Sequence, residues 1–329
     1  MDPRRETFRR LHLILPPLFF LLLAVVQLLI FPQKQDVDGA WFLYGRDTLF
    51  HDAVVHQRIQ QWLFDDPLTV PLWITGIQGG QPTVGSFLWT PLSPNVWPLY
   101  VFAYPAAQLL GWIGALWIAG IGAWIAGRAL RLRSLSAVFV GMVWMLSGHV
   151  VTLIHAGHLQ KVVALGWLPW AVAGAAMACD PHSSTRRARG VALGAVGIGM
   201  TLLSGHPQIT YTSIALVAGL FTWKLFSRKL NRHAWKSHVA LVIIAIALGL
   251  GTGAAQLIPG LEMGGLSNRA DGVSYEEAVE TSYPPGEVWE FIIPRYKGSS
   301  VFGDSYTGEW GERIVSDYIG EIAAFLAIL

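Results

Sequence analysis

Residues 11–31 read LHLILPPLFFLLLAVVQLLIF, with no Asp, Glu, Lys or Arg in the run. An α-helix rises about 1.5 Å per residue, so about 20 mostly apolar residues cross the hydrocarbon core of a bilayer. The run has that length. Before it stands MDPRRETFRR, with Arg4, Arg5, Arg9 and Arg10. A secretory leader starts in the same basic way, but its apolar core is shorter and ends at a small-residue cleavage site. This run is longer, and no A-x-A-like site follows it. The expectation is an uncleaved membrane anchor.

The rest of the chain repeats the pattern. Its 329 residues are 53% hydrophobic and 13% charged, against roughly 25% charged in soluble domains. Further apolar runs cover about Ala107–Ala126, Leu135–Val151, Val162–Ala178, Val191–Ser204, Gln208–Phe226 and His238–Ile258. Another, Tyr318–Leu329, is cut off by the chain end after about half the length a span needs. The expected fold is an all-α integral membrane protein, a polytopic helical bundle forming one transmembrane domain over 1–329. It has about seven spans, a truncated eighth, and two long outer loops that contain amphipathic helices.

Charge orients the bundle, because short cytoplasmic loops collect Lys and Arg. Arg4 to Arg10, then Arg128, Arg131 and Arg133, then Arg186, Arg187 and Arg189, then Lys224, Arg228, Lys229, Arg232 and Lys236 fall in every second gap between runs. The amino terminus is therefore expected inside. The acids were not used in that assignment, yet all except Asp2, Glu6 and Asp180 fall in or beside the outer gaps. The net charge of +2 hides this separation and gives no reason to expect nucleic acid. The single cysteine, Cys179, excludes an intrachain disulfide and has no metal-site spacing.

Two tripeptides, Ser147-Gly148-His149 and Ser204-Gly205-His206, fall at the outer ends of the third and fifth runs. They fit a duplicated two-helix unit with a shared site, or simply a glycine-and-polar helix end with an interfacial imidazole. The outer loops 32–97 and 259–317 are too long to be turns. In the first, Leu49, Val54, Val55, Ile59, Trp62 and Leu63 have helical spacing, as in an amphipathic helix lying on the membrane. Asp47 and Asp52 sit at its start, where a cap or a first-turn anion is stabilising in any case. In the second, most acids are expected at a solvated surface. Glu262 and Arg269 follow the last complete run closely enough to stay near the membrane. Lys161, Arg269, Arg295, Lys297 and Arg313 are among the few outer cations, and their scarcity makes them candidates for anion binding.

Carboxylates, imidazoles and scarce cations at a membrane surface suit glycosyl transfer from a lipid-phosphate donor. A carboxylate accepts the proton of the attacking hydroxyl, and a cation or helix start holds the departing phosphate. Outer tryptophans such as Trp73, Trp89 and Trp310 could stack on sugars or form an interfacial belt.

The order of short motifs resembles the YfhO-type bacterial membrane proteins of the GT-C glycosyltransferase class. The matching pieces are GRD with Asp47, WITGIQGGQP with Gly79, Gly80 and Pro82, LSGH and HAGH followed by LGWLPW, and LLSGHPQITY. After these come QLIPGLEMGGLSNR, IIPRYKG and YIGEIA. The resemblance implies a GT-C-like fold and a polyprenyl-phosphate-linked sugar donor. It also implies an acceptor that is an envelope polymer, lipid or protein, and an active face outside the bacterial inner membrane. It makes Asp47 the leading catalytic residue, with Asp52 in reserve. His149, His158, His206, Gln208, Glu262, Arg269, Arg295 and Lys297 are the candidate substrate-binding residues. Proteins of that kind are usually longer than this chain.

A carrier or flippase for lipid-linked sugars would place ionisable groups along its spans, and the runs hold almost none. An envelope-assembly scaffold is the third reading. No cofactor can be named. Asp47, Asp52, His149, His158 and His206 could converge on a divalent ion, but no spacing of the H-E-x-x-H kind supports one.

Overall fold

The computed structural model describes residues 3–30, 33–35, 41–43, 60–62, 64–65, 72–75, 79–87, 90, 92–227, 232–268, 270–280, 282–293, 295–298, 305–308, 318, 323 and 325. The first helix, α1 (Pro3–Ile30), contains Pro16 and Pro17. Two short antiparallel ladders follow, β1 (Gln33–Gln35) with β2 (Trp41–Leu43) and β3 (Trp73–Ile74) with β4 (Gln81–Pro82). A 3-10 helix, Pro94–Tyr100, leads into α2 (Tyr104–Ala129). The remaining helices are α3 (Ser134–Leu146), α4 (Gly148–Ala156), α5 (Leu159–Ala178), α6 (Ser184–Leu203), α7 (Pro207–Ser227), α8 (Arg232–Thr252), α9 (Ala254–Gly265) and the short α10 (Tyr275–Val279). The amphipathic helix expected over 49–63 falls mostly outside the described residues. Within it, Gln60–Trp62 are helical.

Among the described residues, five segments are long and apolar enough to cross a membrane: Leu13–Ile30, Ala106–Ala129, Ser134–Ala156, Leu159–Ala178 and Trp235–Thr252. The chain is a membrane-embedded helical protein. α6 and α7 have the length, at 20 and 21 residues, and the first turns of α6 carry Arg186, Arg187 and Arg189.

α5 lies at the centre of the bundle and packs on α2, α6 and α7. Lipid tails are as apolar as Leu, so helices in a membrane associate through close backbone packing, which small residues permit. The α5–α6 pair is built in this way. A Cβ on Gly174 would stand 2.2 Å from the Gly194 backbone nitrogen, and one on Gly197 would stand 2.3 Å from that of Ala171. Trp112, Leu116, Leu153, Val162 and Phe20 fill the neighbouring core between α1, α2, α4 and α5.

A proline inside a helix removes one N–H and leaves the carbonyl four residues earlier unserved. Pro169 does this to Leu165 in α5, and the Trp144 indole Nε1–H from α3 donates to that carbonyl at 3.3 Å. Two other indoles act similarly between helices, Trp117 on Pro17 O at 2.9 Å and Trp170 on Ile118 O at 3.1 Å.

The expected third span is two helices. Ser147 takes an extended ψ of 145° and ends α3, and its Oγ accepts from Val150 N at the start of α4. The last complete span also continues past its expected end. After a break at Gly253 it becomes α9, which reaches Gly265.

One end of the bundle is basic and locked by a carboxylate. Asp180, buried after α5, accepts from His182 N at 2.9 Å and Ser183 N at 3.2 Å. It also pairs with Arg186 at 3.2 Å and Arg131 at 3.5 Å. Burial alone would raise its carboxyl, but the His182 N–H, Arg186, the Ser183 N–H and Arg131 together hold it below the usual value. Asp180, an acid inside a basic gap, is thus the counter-ion that joins two such gaps. Lys224 Nζ reaches Ala176 O at 3.2 Å, and Arg186 Nη2 reaches Ala129 O at 3.2 Å. Cations at helix carboxyl ends are where the macrodipole favours them.

Candidate functional site

At the opposite end, residues 72–75, 79–87 and 90 belong to a strap across the helix tips. Thr83 N bonds Leu72 O at 3.0 Å, and Phe87 N bonds Val84 O at 3.1 Å. Gly79 and Gly80, at φ +80° and +108°, turn the chain between β3 and β4. The Trp73 indole lies over Gly80, 2.7 Å from where a Cβ would be, so that glycine is required sterically as well as conformationally.

Two glutamines hold the strap by its backbone. Gln256 in α9, only 2% exposed, donates from Nε2 to Val84 O. Gln160 in α5 donates from Nε2 to Phe87 O at 3.1 Å. A Cβ on Gly85 would stand 3.1 Å from Pro259 O, and one on Gly260 would overlap the Phe87 ring. The stretch that follows QGGQP therefore meets the QLIPG motif in space.

Between strap and α9 lies a cavity of about 450 Å³ lined by Leu72, Pro82, Val84, Gly85, Ala255, Pro259, Glu262, Met263 and Leu266. Its walls are apolar apart from the Glu262 carboxylate. An apolar cavity with one oriented charge suits an amphiphile with a hydrocarbon tail and a polar head.

On the other side of the strap are two Gly-His turns. Gly157 (φ +88°) caps α4, its N–H donating to Leu153 O and Ile154 O, and His158 O then accepts from Val162 N to start α5. Gly205 (φ +79°) ends α6 with its N–H on Leu202 O, and His206 O accepts from Ile209 N as α7 begins. The structural repeat is thus Gly157-His158 with Gly205-His206. The recurring letters Ser-Gly-His match different structures: in the first copy Ser147 interrupts a span, and in the second Ser204 precedes a reversal. The nine-residue α4 sets His149 about 12 Å of helix below the first reversal.

His158, Lys161 and His206 are half-buried and come together here. Burial first, then Lys161 and His158, push the His206 imidazole down to about 4, so it is neutral at pH 7. Its Nδ1 is buried, and apart from the residue's own backbone it has no hydrogen-bond partner among the described residues.

The other candidates are dispersed. Gln208 is exposed in the first turn of α7, and Glu262 is exposed on the cavity wall. Arg295, at φ +58°, and half-buried Lys297 lie in one turn of the second loop, where Thr307 N and Oγ1 bond Lys297 O. Asp47, Asp52 and Arg269 lie outside the described residues. Among the described residues no group of three or more His, Cys, Asp or Glu could hold a metal.

Sequence reasoning marked Lys161 only as one of the scarce outer cations suited to an anion, without its histidine neighbours, and it overlooked the carboxylates of the 3-10 helix Pro285–Phe291. Glu287 is 1% exposed and Glu290 7%, so these acids of the second loop are not solvated. The recurring Gly-His pair was the available signal for Lys161. For Glu287 and Glu290 the only cue is their three-residue spacing, which puts both on one face of a 3-10 turn.

The bundle and its strap define the class, a helical membrane protein with an apolar cavity at the loop end. No family model, no curated protein and no solved structure matches the chain.

Proposed function

We propose that the chain is a glycosyltransferase that moves a sugar from a polyprenyl-phosphate donor to a cell-envelope acceptor, in the manner of the GT-C class it resembles. The carrying observation is the apolar cavity beside Glu262 at the loop end of the bundle. A prenyl phosphate has an apolar tail, worth about 0.8 kcal/mol per buried CH₂, and one anionic head. The cavity offers a wall for the tail, and the neighbouring turns supply His158, Lys161 and His206 for the head. In the reaction the acceptor oxygen bonds to the sugar's anomeric carbon as the bond from that carbon to the phosphate oxygen breaks. The hydroxyl proton passes to a carboxylate, and the polyprenyl phosphate departs with the electron pair. Asp47 is the proposed base, with Asp52 in reserve and Arg269 meeting the phosphate.

Segregated charge supports a topology with the amino terminus in the cytoplasm and the strap outside a bacterial inner membrane. Four buried polar groups of the helices, Gln27, Thr152, Thr201 and Ser213, each donate to a backbone carbonyl, and this local pairing supports chemistry over transport. The test is release of polyprenyl phosphate from a radiolabelled donor by the chain reconstituted in liposomes. Acceptor-dependent release, lost in Asp47→Asn and reduced in Glu262→Gln, is expected. Movement of intact donor across the bilayer without release would make the protein a carrier, and neither outcome would make it a scaffold.

A further inference from the structure

We propose that Lys161, His158 and His206 together bind a phosphate group at the loop end of the bundle. For the identity of the ligand this rests on the donor reading above.

The two Gly-His turns are neighbours. A Cβ on Gly205 would stand 3.5 Å from Gln160 Cδ, and Gln160 lies between the His158 turn and Lys161. The strap closes the same spot from above: that Cβ would also stand 3.0 Å from Thr90 Cγ2 and 3.1 Å from Phe87 O. Thr90 is 1% exposed, and its hydroxyl has no hydrogen-bond partner among the described residues. A buried hydroxyl and a buried imidazole nitrogen thus belong to one turn: Thr90 touches the Gly205 position, and His206 follows it. Such groups are costly unless something fills their hydrogen bonds.

The charges that His206 feels there are positive, from Lys161 and His158. The strap residues described beside it, 82–87 and Thr90, carry no titratable side chain. Two helices also begin at this place, α5 after His158 and α7 after His206, and helix starts favour anions. A phosphate would accept from the Lys161 ammonium, the two imidazoles and the Thr90 hydroxyl, and charge-assisted bonds of this kind are the strong ones. Its negative charge would offset what now keeps His206 neutral, so binding draws a proton onto that ring. The ligand class is a phosphate ester, supplied either by a lipid headgroup or by free phosphate.

The full chain in nanodiscs is titrated with a short-chain prenyl phosphate, with inorganic phosphate and with the corresponding prenyl alcohol. Binding is measured at equilibrium, and the His206 ring is followed by carbon-13 shifts in histidine-labelled wild-type protein, so one readout is independent of any variant's folding. The prenyl phosphate should bind and move the His206 resonance toward imidazolium, and the alcohol should not move it. Lys161→Gln should weaken prenyl phosphate about tenfold or more, with Lys161→Arg retaining most of the affinity. An equal response to inorganic phosphate assigns the site to free phosphate, and silence toward it assigns a lipid headgroup. A stationary His206 resonance at saturating prenyl phosphate, unaltered affinity in folded Lys161→Gln, or no binding of either phosphate overturns the site. No turnover is needed, so a failed transfer assay leaves this measurement standing.

Discussion

The side-chain amide of Gln27 in α1 donates to the backbone carbonyl of Met145 in α3 at 3.1 Å, across 118 residues of sequence. In an unbroken helix that carbonyl would serve the N–H of His149. Ser147 breaks the helix, and in a bilayer core no water replaces the lost partner. The Gly148 N–H, freed by the same break, donates to Tyr318 O at 2.7 Å. A Cβ on Gly148 would also stand 2.7 Å from that oxygen. The break is therefore a joint at which α1, the third span and Tyr318 meet.

Gln27→Leu keeps the volume and the apolar contacts but leaves the Met145 carbonyl unserved. We expect a loss of about 1 kcal/mol, read as reversible unfolding in mixed micelles. Ser147→Ala, which removes the cap of α4, should cost about as much. A Gln27→Leu protein as stable as wild type would mean that the Met145 carbonyl finds another donor.

Gly174→Ala should force α5 and α6 apart, because its Cβ would fall 2.2 Å from the backbone of Gly194. A backbone neighbour cannot rotate away, so a loss of about 1–3 kcal/mol is expected. Gly114→Ala, in α2 with nothing within 4 Å of the new Cβ, is the matched control and should be neutral or slightly stabilising. Equal effects at the two sites would locate the cost in the membrane helix itself and not in the close approach.

The spans and the two ends of the bundle were legible because they depend on local quantities, apolar length and the placement of Arg and Lys. Asp180 looked like an exception to the charge pattern, since its partners Arg131 and Arg186 come from two different gaps. The Ser-Gly-His tripeptides misled in register for a physical reason. Ser followed by Gly both ends helices and starts them, so only the docking of Tyr318 on Gly148 distinguishes a broken span from a reversal. Likewise, the burial of Glu287 and Glu290 depends on what the second loop folds against. Neighbouring letters do not carry that information.

Asp180 separates charge from shape. Asp180→Asn keeps an oxygen able to accept from His182 N and Ser183 N but loses the attraction to Arg186 and Arg131, which are partly exposed. We expect a loss of about 0.5–1 kcal/mol that shrinks in high salt. Asp180→Ala also removes the two backbone bonds and should cost about 1–2 kcal/mol more. The carboxyl titrates lower in the folded chain than the 3.8 of a free aspartate side chain. Its contribution is therefore complete above that value and is lost as pH falls below it. An Asp180→Asn protein with an unchanged acid limb would show that the charge contributes nothing.

His206 gives the opposite kind of group a similar pH signature. In the unfolded chain its imidazole gains a proton near 6.5; in the folded chain it does so only near 4. Between those values the unfolded state holds more protons, so stability falls as pH falls through the window and levels off below it. Above about 6.5 the ring is neutral in both states and contributes no slope. His206→Gln removes the titration while leaving a polar side chain at the turn. The variant minus wild-type difference in unfolding free energy should therefore be flat above pH 6.5 and move in the variant's favour between 6.5 and 4. Lys161→Gln, by removing the larger source of positive charge acting on the ring, should shift the lower limit of that window upward. Saturating phosphate should do the same if it occupies the turns, because an anion there favours the protonated ring. A wild-type acid profile that superimposes on that of His206→Gln would show that the ring titrates normally and that the turns carry no excess positive potential.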